Sequence, residues 1–307
     1  MTLTRRTLLQ GAVAGTALAG LGGRMAFASD SATLGEKTLT TLSDGNLVLP
    51  VDFTFNGVSE ADRAPIFKQF GFGDGMLEPE CNVTLLQDGE RTILFDAGSG
   101  PAFMPSVGRL PDALDEMGLS VDDITHVVFT HAHPDHLWGV LDDFDDPLFT
   151  EATYMMGRKE WDYWWNPETV DTIEESRKTM AVGAKRRMEA LEDAITFFDD
   201  GEEILPGIAA RASYGHTPGH MAFEVRSGSE SVMVLGDCIG NHHAAFMAPG
   251  LGLGSDQDRE TAAQTRLGLM DQLAAEQTRI IGYHLPGGGM GRVERKDGAY
   301  RFVPEGA

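Results

Sequence analysis

Three imidazoles and a carboxylate stand within six positions at His131-Ala132-His133-Pro134-Asp135-His136, directly after the β-prone run Val127-Val128-Phe129-Thr130. Histidine nitrogens and aspartate oxygens are natural ligands for borderline divalent metals, and burying such a cluster empty is costly. Pro134 favours a tight turn, so the donors converge rather than alternate along a strand. One cluster of four cannot complete two coordination spheres. Further candidates stand where strand patterns give way to loops. His216 opens Gly215-His216-Thr217-Pro218-Gly219-His220, Asp237 follows Val232-Met233-Val234-Leu235-Gly236, and His284 follows Ile280-Ile281-Gly282-Tyr283. Strand ends are where a sheet-based fold gathers a site.

These donors need elements to carry them. Asp88-Gly89 between 82–87 and 91–95 is a hairpin signature. Ser227-Gly228-Ser229-Glu230 joins 221–226 to 231–235 in a second hairpin, and Asp297-Gly298 marks a third. Helical patterns run over 106–117, 172–193 and 256–276. Strand hairpins mixed with long helices imply sheets covered by helices. No repeat or linker divides the chain. The expectation is a polar lead over 29–48 followed by one catalytic domain over 49–307.

Acidic residues outnumber basic ones 47 to 24, for a net charge of −23, which disfavours a nucleic-acid partner and fits a solubility adaptation. The run Asp142-Asp143-Phe144-Asp145-Asp146 lacks the spaced oxygens and central glycine of a calcium loop and is expected to be a solvated loop. Thr4-Arg5-Arg6-Thr7-Leu8-Leu9 begins an Ala- and Gly-rich apolar stretch that ends at Ala26-Phe27-Ala28. Residues 1–28 therefore resemble a twin-arginine-type signal peptide, implying a periplasmic or secreted protein with no stable membrane insertion after cleavage. Cys81 and Cys238 form no disulfide framework, and either a single bridge or two buried thiols fits them.

With these residues in place, the chain resembles the metallo-β-lactamase superfamily from Asn82 to Pro304, including Leu94-Phe95-Asp96-Ala97-Gly98. The resemblance implies an α/β (α+β) fold, an αββα sandwich of two mixed sheets flanked by helices, with two metals at one edge. It implies a first metal held by His131, His133 and His216, and a second by Asp135, His136 and His284. Asp237 would bridge them and Asp96 would orient ligands. Within the superfamily the intervals of 21 residues from His216 to Asp237 and 47 from Asp237 to His284 look like methyl parathion hydrolase and its exported relatives, as does the tail from His284-Leu285-Pro286. That likeness suggests a homodimer.

The ligand set implies a binuclear hydrolase that uses a metal-bridging hydroxide to cleave a neutral ester: an organophosphate triester, a lactone or an aryl carboxylic ester. Asp135 and Asp237 are the catalytic candidates, Asp237 because it would fix that hydroxide. Two Zn2+ ions are the default, and Mn, Co or Fe can take the same ligands. A glyoxalase II-like thioester hydrolase and a one-metal iron persulfide dioxygenase are alternatives; an exported metal-binding protein without activity is the non-enzyme alternative. Acyl-homoserine lactonases often carry a tyrosine shortly after the bridging aspartate, where this chain has Cys238-Ile239-Gly240-Asn241. His220 is expected to orient the His216 loop, His242 and His243 to serve surface or packing roles, and His126 to be structural. Trp161, Trp164 and Trp165 share one helix face, which is more often core than pocket. The same resemblance places a pocket tryptophan at Trp164 or Trp165 and an aromatic pocket position near Phe103.

Overall fold

The computed structural model describes residues 30–73 and 75–306; the expected leader lies outside them. Ile93, Leu94 and Phe95 are all buried, as are Val127, Val128 and Phe129. Strands covered on both faces read as unbroken apolar runs. Ile93, Phe95 and Val128 point into a core between two sheets, whereas Leu94, Val127 and Phe129 point the other way, toward helices.

The first sheet holds β1 (Ser31–Leu34), β2 (Lys37–Asn46), β3 (Glu80–Gln87), β4 (Thr92–Phe95), β5 (His126–Phe129), β6 (Thr153–Gly157) and β7 (Ile195–Phe198). The second holds β8 (Glu203–Leu205), β9 (Ile208–Ala212), β10 (Met221–Ser227), β11 (Glu230–Val234), β12 (Arg279–Ile281), β13 (Met290–Lys296) and β14 (Ala299–Pro304). Spatial order follows chain order in both sheets. Pairing is antiparallel except for β4–β5, β5–β6, β6–β7 and β11–β12. A parallel neighbour needs a crossover, and the crossovers carry the helices that cover the outer faces.

The helices longer than five residues are α1 (Glu60–Phe70), α2 (Leu110–Glu116), α3 (Arg158–Trp165), α4 (Lys178–Leu191) and α5 (Arg259–Glu276). On α4 the buried Ala181, Ala184, Met188 and Leu191 recur at helical spacing and pack with Trp161, Trp164 and the outer face of the first sheet. Met270 and Leu273 of α5 pack on Met233, Ile280 and Val293 of the second. The layers are therefore helix, sheet, sheet, helix, as expected. No described helix is long and apolar enough to cross a membrane.

All three hairpins form where expected. The second is tighter than a four-residue loop, because Ser227 pairs with Glu230 and only Gly228-Ser229 turn. Asp297 and Gly298 both adopt positive φ, 51° and 79°, as a type I′ turn requires. The polar lead is corrected: residues 31–46 are not outside the fold but form β1 and β2, and β2 pairs with β3. Its threonines are strand residues, and Thr40 and Thr41 are buried. Helix α2 starts later than residue 106, because the buried Asp44 carboxylate accepts the Leu110 N–H at 2.9 Å and sets the first turn there. Cys81 and Cys238 are two buried, unpaired thiols.

Candidate metal centre

His131 and His133 leave the end of β5, and the short helix Pro134–Leu137 turns Asp135 and His136 back toward them. His216 lies on the loop between β9 and β10, Asp237 follows β11 and His284 follows β12. Ligand loops from both sheets thus meet at one edge. All seven side chains are buried, at 7% exposure or less.

The donors fall into two groups, His131, His133 and His216 in one, and Asp135, His136, Asp237 and His284 in the other, each with its ligand atoms within 4.8 Å of one another. In the trio, His133 Nδ1 lies 3.0 Å from His131 Nε2 and 2.9 Å from His216 Nε2. Asp237 joins the groups. Its Oδ1 lies 3.3 Å from His136 Nε2, and its Oδ2 lies 3.3 Å from both His216 Nε2 and His284 Nε2. Asp135 Oδ2 lies 3.1 Å from His284 Nε2 and 3.3 Å from His136 Nε2.

The opposite ring nitrogens are tied down. His136 Nδ1 meets Asp96 Oδ2 at 2.8 Å, and the Thr130 hydroxyl donates to the same oxygen while contacting His131 Nδ1 at 3.0 Å. Asp96 holds this pose at φ 72°, a left-handed conformation uncommon outside glycine. His284 Nδ1 donates to the Glu80 carbonyl at 2.7 Å. His216 Nδ1 faces Asp256 Oδ1 at 3.2 Å, and Asp256 is paired with buried Arg266. Fixing one ring nitrogen leaves the other as a lone-pair donor of set direction.

Burial, reinforced by neighbouring imidazoles, pushes His131 and His133 well below the usual histidine range, which keeps them neutral ligands. Burial also opposes charge on His136 and His284, yet the carboxylates of Asp135 and Asp237 outweigh it and raise both well above that range. The same contacts hold Asp135 and Asp237 below the carboxylate range against their burial. Asp135 Oδ2, His136 Nε2 and Asp237 Oδ1 are buried without a hydrogen-bond partner among the described residues, a vacancy of bonding that metal coordination fits.

The other expected residues are placed unequally. His220 lies behind the site, where its Nε2 accepts the Asp237 backbone N–H at 2.9 Å and its Nδ1 meets Ser213 Oγ at 2.7 Å. Phe103 lines a cavity of about 230 Å³ whose floor is His133, Asp135, His216, Asp237 and His284. Trp164 does not line it, which corrects the pocket assignment. It is buried behind His133, ring centroids 5.8 Å apart, with Nε1 donating to Glu160 at 2.6 Å. Trp165 instead stacks on Trp161. His242 and His243, expected in surface or packing roles, both line the cavity. No tyrosine lines it among the described residues.

Asp256, Thr130 and Glu160 escaped sequence reasoning. Asp256 stands 40 residues from the histidine it meets, and no local pattern signals that contact. Glu160, just before Trp161, carries no local signal of the loops it meets. Its buried carboxylate is pushed above the usual range by desolvation, against the pull of its hydrogen bonds.

An αββα sandwich with seven metal-type donors at one sheet edge defines a class. Residues 78–276 match the metallo-beta-lactamase superfamily, and the chain belongs to it. A lactonase is among its structural neighbours. The chain is similar to the N-acyl homoserine lactonase AiiB of Agrobacterium fabrum, at 32% identity in an alignment of 79 residues that covers 20% of this chain and only 29% of that enzyme. Among solved structures it is similar to AidC, a dizinc quorum-quenching lactonase in complex with an acyl-homoserine product. That match has a TM-score of 0.83 and 26% identity, over 91% of this chain and 98% of the other. AbOPH, a hydrolase of the beta lactamase superfamily, has a TM-score of 0.82 at 23% identity over 90% and 97%, a likeness of fold.

Proposed function

We propose that the chain is a two-metal hydrolase that opens a neutral lactone carrying an apolar arm. The observation that carries this reading is the pair of donor groups joined by Asp237 on the floor of an apolar cavity. Two divalent ions, Zn2+ by default, would supply an acidified water and a Lewis acid there. His131, His133 and His216 would hold one, Asp135, His136 and His284 the other, and Asp237 would touch both. Asp237 would also hold the attacking water there and take its proton. The wall of Leu47, Leu49, Phe53, Phe72, Leu77 and Met180 excludes water and suits an acyl chain. Ring opening adds one water across the ester C–O bond, giving a hydroxyl and a carboxylate and releasing a proton.

The similarity to AidC over nearly its whole length supports a lactone over other esters. A second reading, an aryl phosphotriester, is favoured by the aromatic side chains Phe53, Phe72 and Phe103 in the same wall. A one-metal dioxygenase would leave the second group of donors without an ion. Export by the twin-arginine route is proposed on the leader alone.

The test is a panel of acyl-homoserine lactones, aryl phosphotriesters, aryl carboxylic esters and thioesters on metal-quantified protein. The expected result is the highest kcat/KM on a lactone, rising with acyl length. Turnover of thioesters alone, or of nothing in the panel, would refute the reading.

A further inference from the structure

Glu160 is a fully buried carboxylate on α3 that takes four hydrogen bonds. Its Oε1 accepts the Ala132 N–H at 2.9 Å and Trp164 Nε1–H at 2.6 Å. Its Oε2 accepts the Thr217 hydroxyl at 2.7 Å and the Gly219 N–H at 3.0 Å. Ala132 sits between His131 and His133, Thr217 follows His216, and the Trp164 ring backs His133. The two ligand loops come from different sheets, and this carboxylate ties one to the other. A Cβ on Gly219 would stand 2.1 Å from the Glu160 backbone nitrogen, so the His216 loop is seated against the start of α3 with no room to spare.

None of the four bonds reaches the other donor group. His136 is oriented by Asp96 and by the Tyr283 ring, tilted against it at 3.8 Å between centroids, and His284 by the Glu80 carbonyl. The Tyr283 hydroxyl holds the Asp135 carbonyl at 2.6 Å. The groups share Asp237 and the Thr130 hydroxyl, which contacts His131 while donating to Asp96, but the four bonds of Glu160 fall on the His131–His133 and His216 loops.

We propose that Glu160 is a positioning residue that sets the spacing of the His131, His133 and His216 nitrogens, and so the affinity of that group for its metal ion more than that of the other. It touches neither the ion nor the substrate. The inference rests on the two-metal reading of the site.

Glu160→Gln keeps the shape and spoils the bonding. Whichever way the amide lies, its NH2 faces a backbone N–H that was donating to the carboxylate. The test is a calorimetric titration of the metal-free protein with Zn2+. Wild type should show two binding steps, and His131→Ala should abolish one, which identifies the trio's step. In Glu160→Gln that step weakens by about 10–100-fold while the other changes less. Should Glu160→Gln not fold, Thr217→Val removes one of the four bonds and weakens the same step by a smaller factor. Unchanged affinities, or equal weakening of both steps, would overturn the proposal. A wild type that binds no zinc fails the two-metal reading itself, whereas two wild-type steps with an unaltered variant fail only this inference.

Discussion

At the scale of single residues, side chains of one type fall into different roles according to what they face. Trp164 and Phe103 were both candidates for substrate contact, yet one backs a ligand and the other opens onto the cavity. Trp164→Phe should lose about 1 kcal/mol of stability with the Glu160 hydrogen bond and leave the ranking of substrates intact. Phe103→Ala should instead raise KM several-fold for the bulkiest substrates and change that ranking. Thermal melts and a kcat/KM series on both variants check this, and a reordered series in Trp164→Phe would contradict it. The seven donors were legible because the chemistry requires particular residue types, and four of them stand within six positions. Asp256 and Glu160 were not, since their carboxylates meet groups that only folding brings near. His242 and His243 do pack against phenylalanine rings, as expected, but their place in the cavity wall was hidden for the same reason. The helix Val51–Phe55 and the segment after α1, which place Phe53 and Phe72 in the cavity wall with them, leave no mark near residue 242.

At the scale of elements, hairpins were the most legible feature because their turns are set by local backbone geometry. Asp297-Gly298 needs two positive φ values, and few dipeptides supply them. Strand β2 was hidden because Thr38, Thr40 and Thr41 read as polar in sequence, although the last two are buried between neighbours. The pairing of β9 with β10 has a consequence for pH. Arg226 on the same strand, then Arg211 across it, hold the Glu224 carboxyl down to about 2. The unfolded value is about 4.3, so this contact stabilises the fold above that pH, and the contribution is lost as pH falls through about 2. The three side chains are partly exposed and screened, which limits the effect to under about 1 kcal/mol. Glu224→Gln should therefore lower the denaturation midpoint of the metal-free chain at pH 7, and by less at pH 3. A deficit that grows on acidification would contradict this.

At the scale of the whole molecule, the two sheets act as a single scaffold. The first supplies His131, His133, Asp135 and His136 beyond β5, and the second supplies His216, Asp237 and His284 beyond β9, β11 and β12. Their inner faces, Phe95 and Val128 against Phe223 and Val234 among others, lock the two halves together and fix the distance between ligand loops. This architecture was legible as a class from the mixture of hairpins and helices. The relation between sheets was not, because the packing partners of a strand lie far away in sequence. With a net charge of −23, the chain concentrates its metal-type donors in one buried site joined by Asp237, which is the central claim. The most direct measurement is elemental analysis of wild type and Asp237→Ala purified alike, with lactone turnover assayed before and after chelation. The expected result is two ions per chain in wild type, activity lost on chelation and restored by added Zn2+, and a variant holding at most one ion with turnover down by about two orders of magnitude or more. Two ions and undiminished turnover in Asp237→Ala, or wild-type activity that survives complete removal of metal, would contradict it.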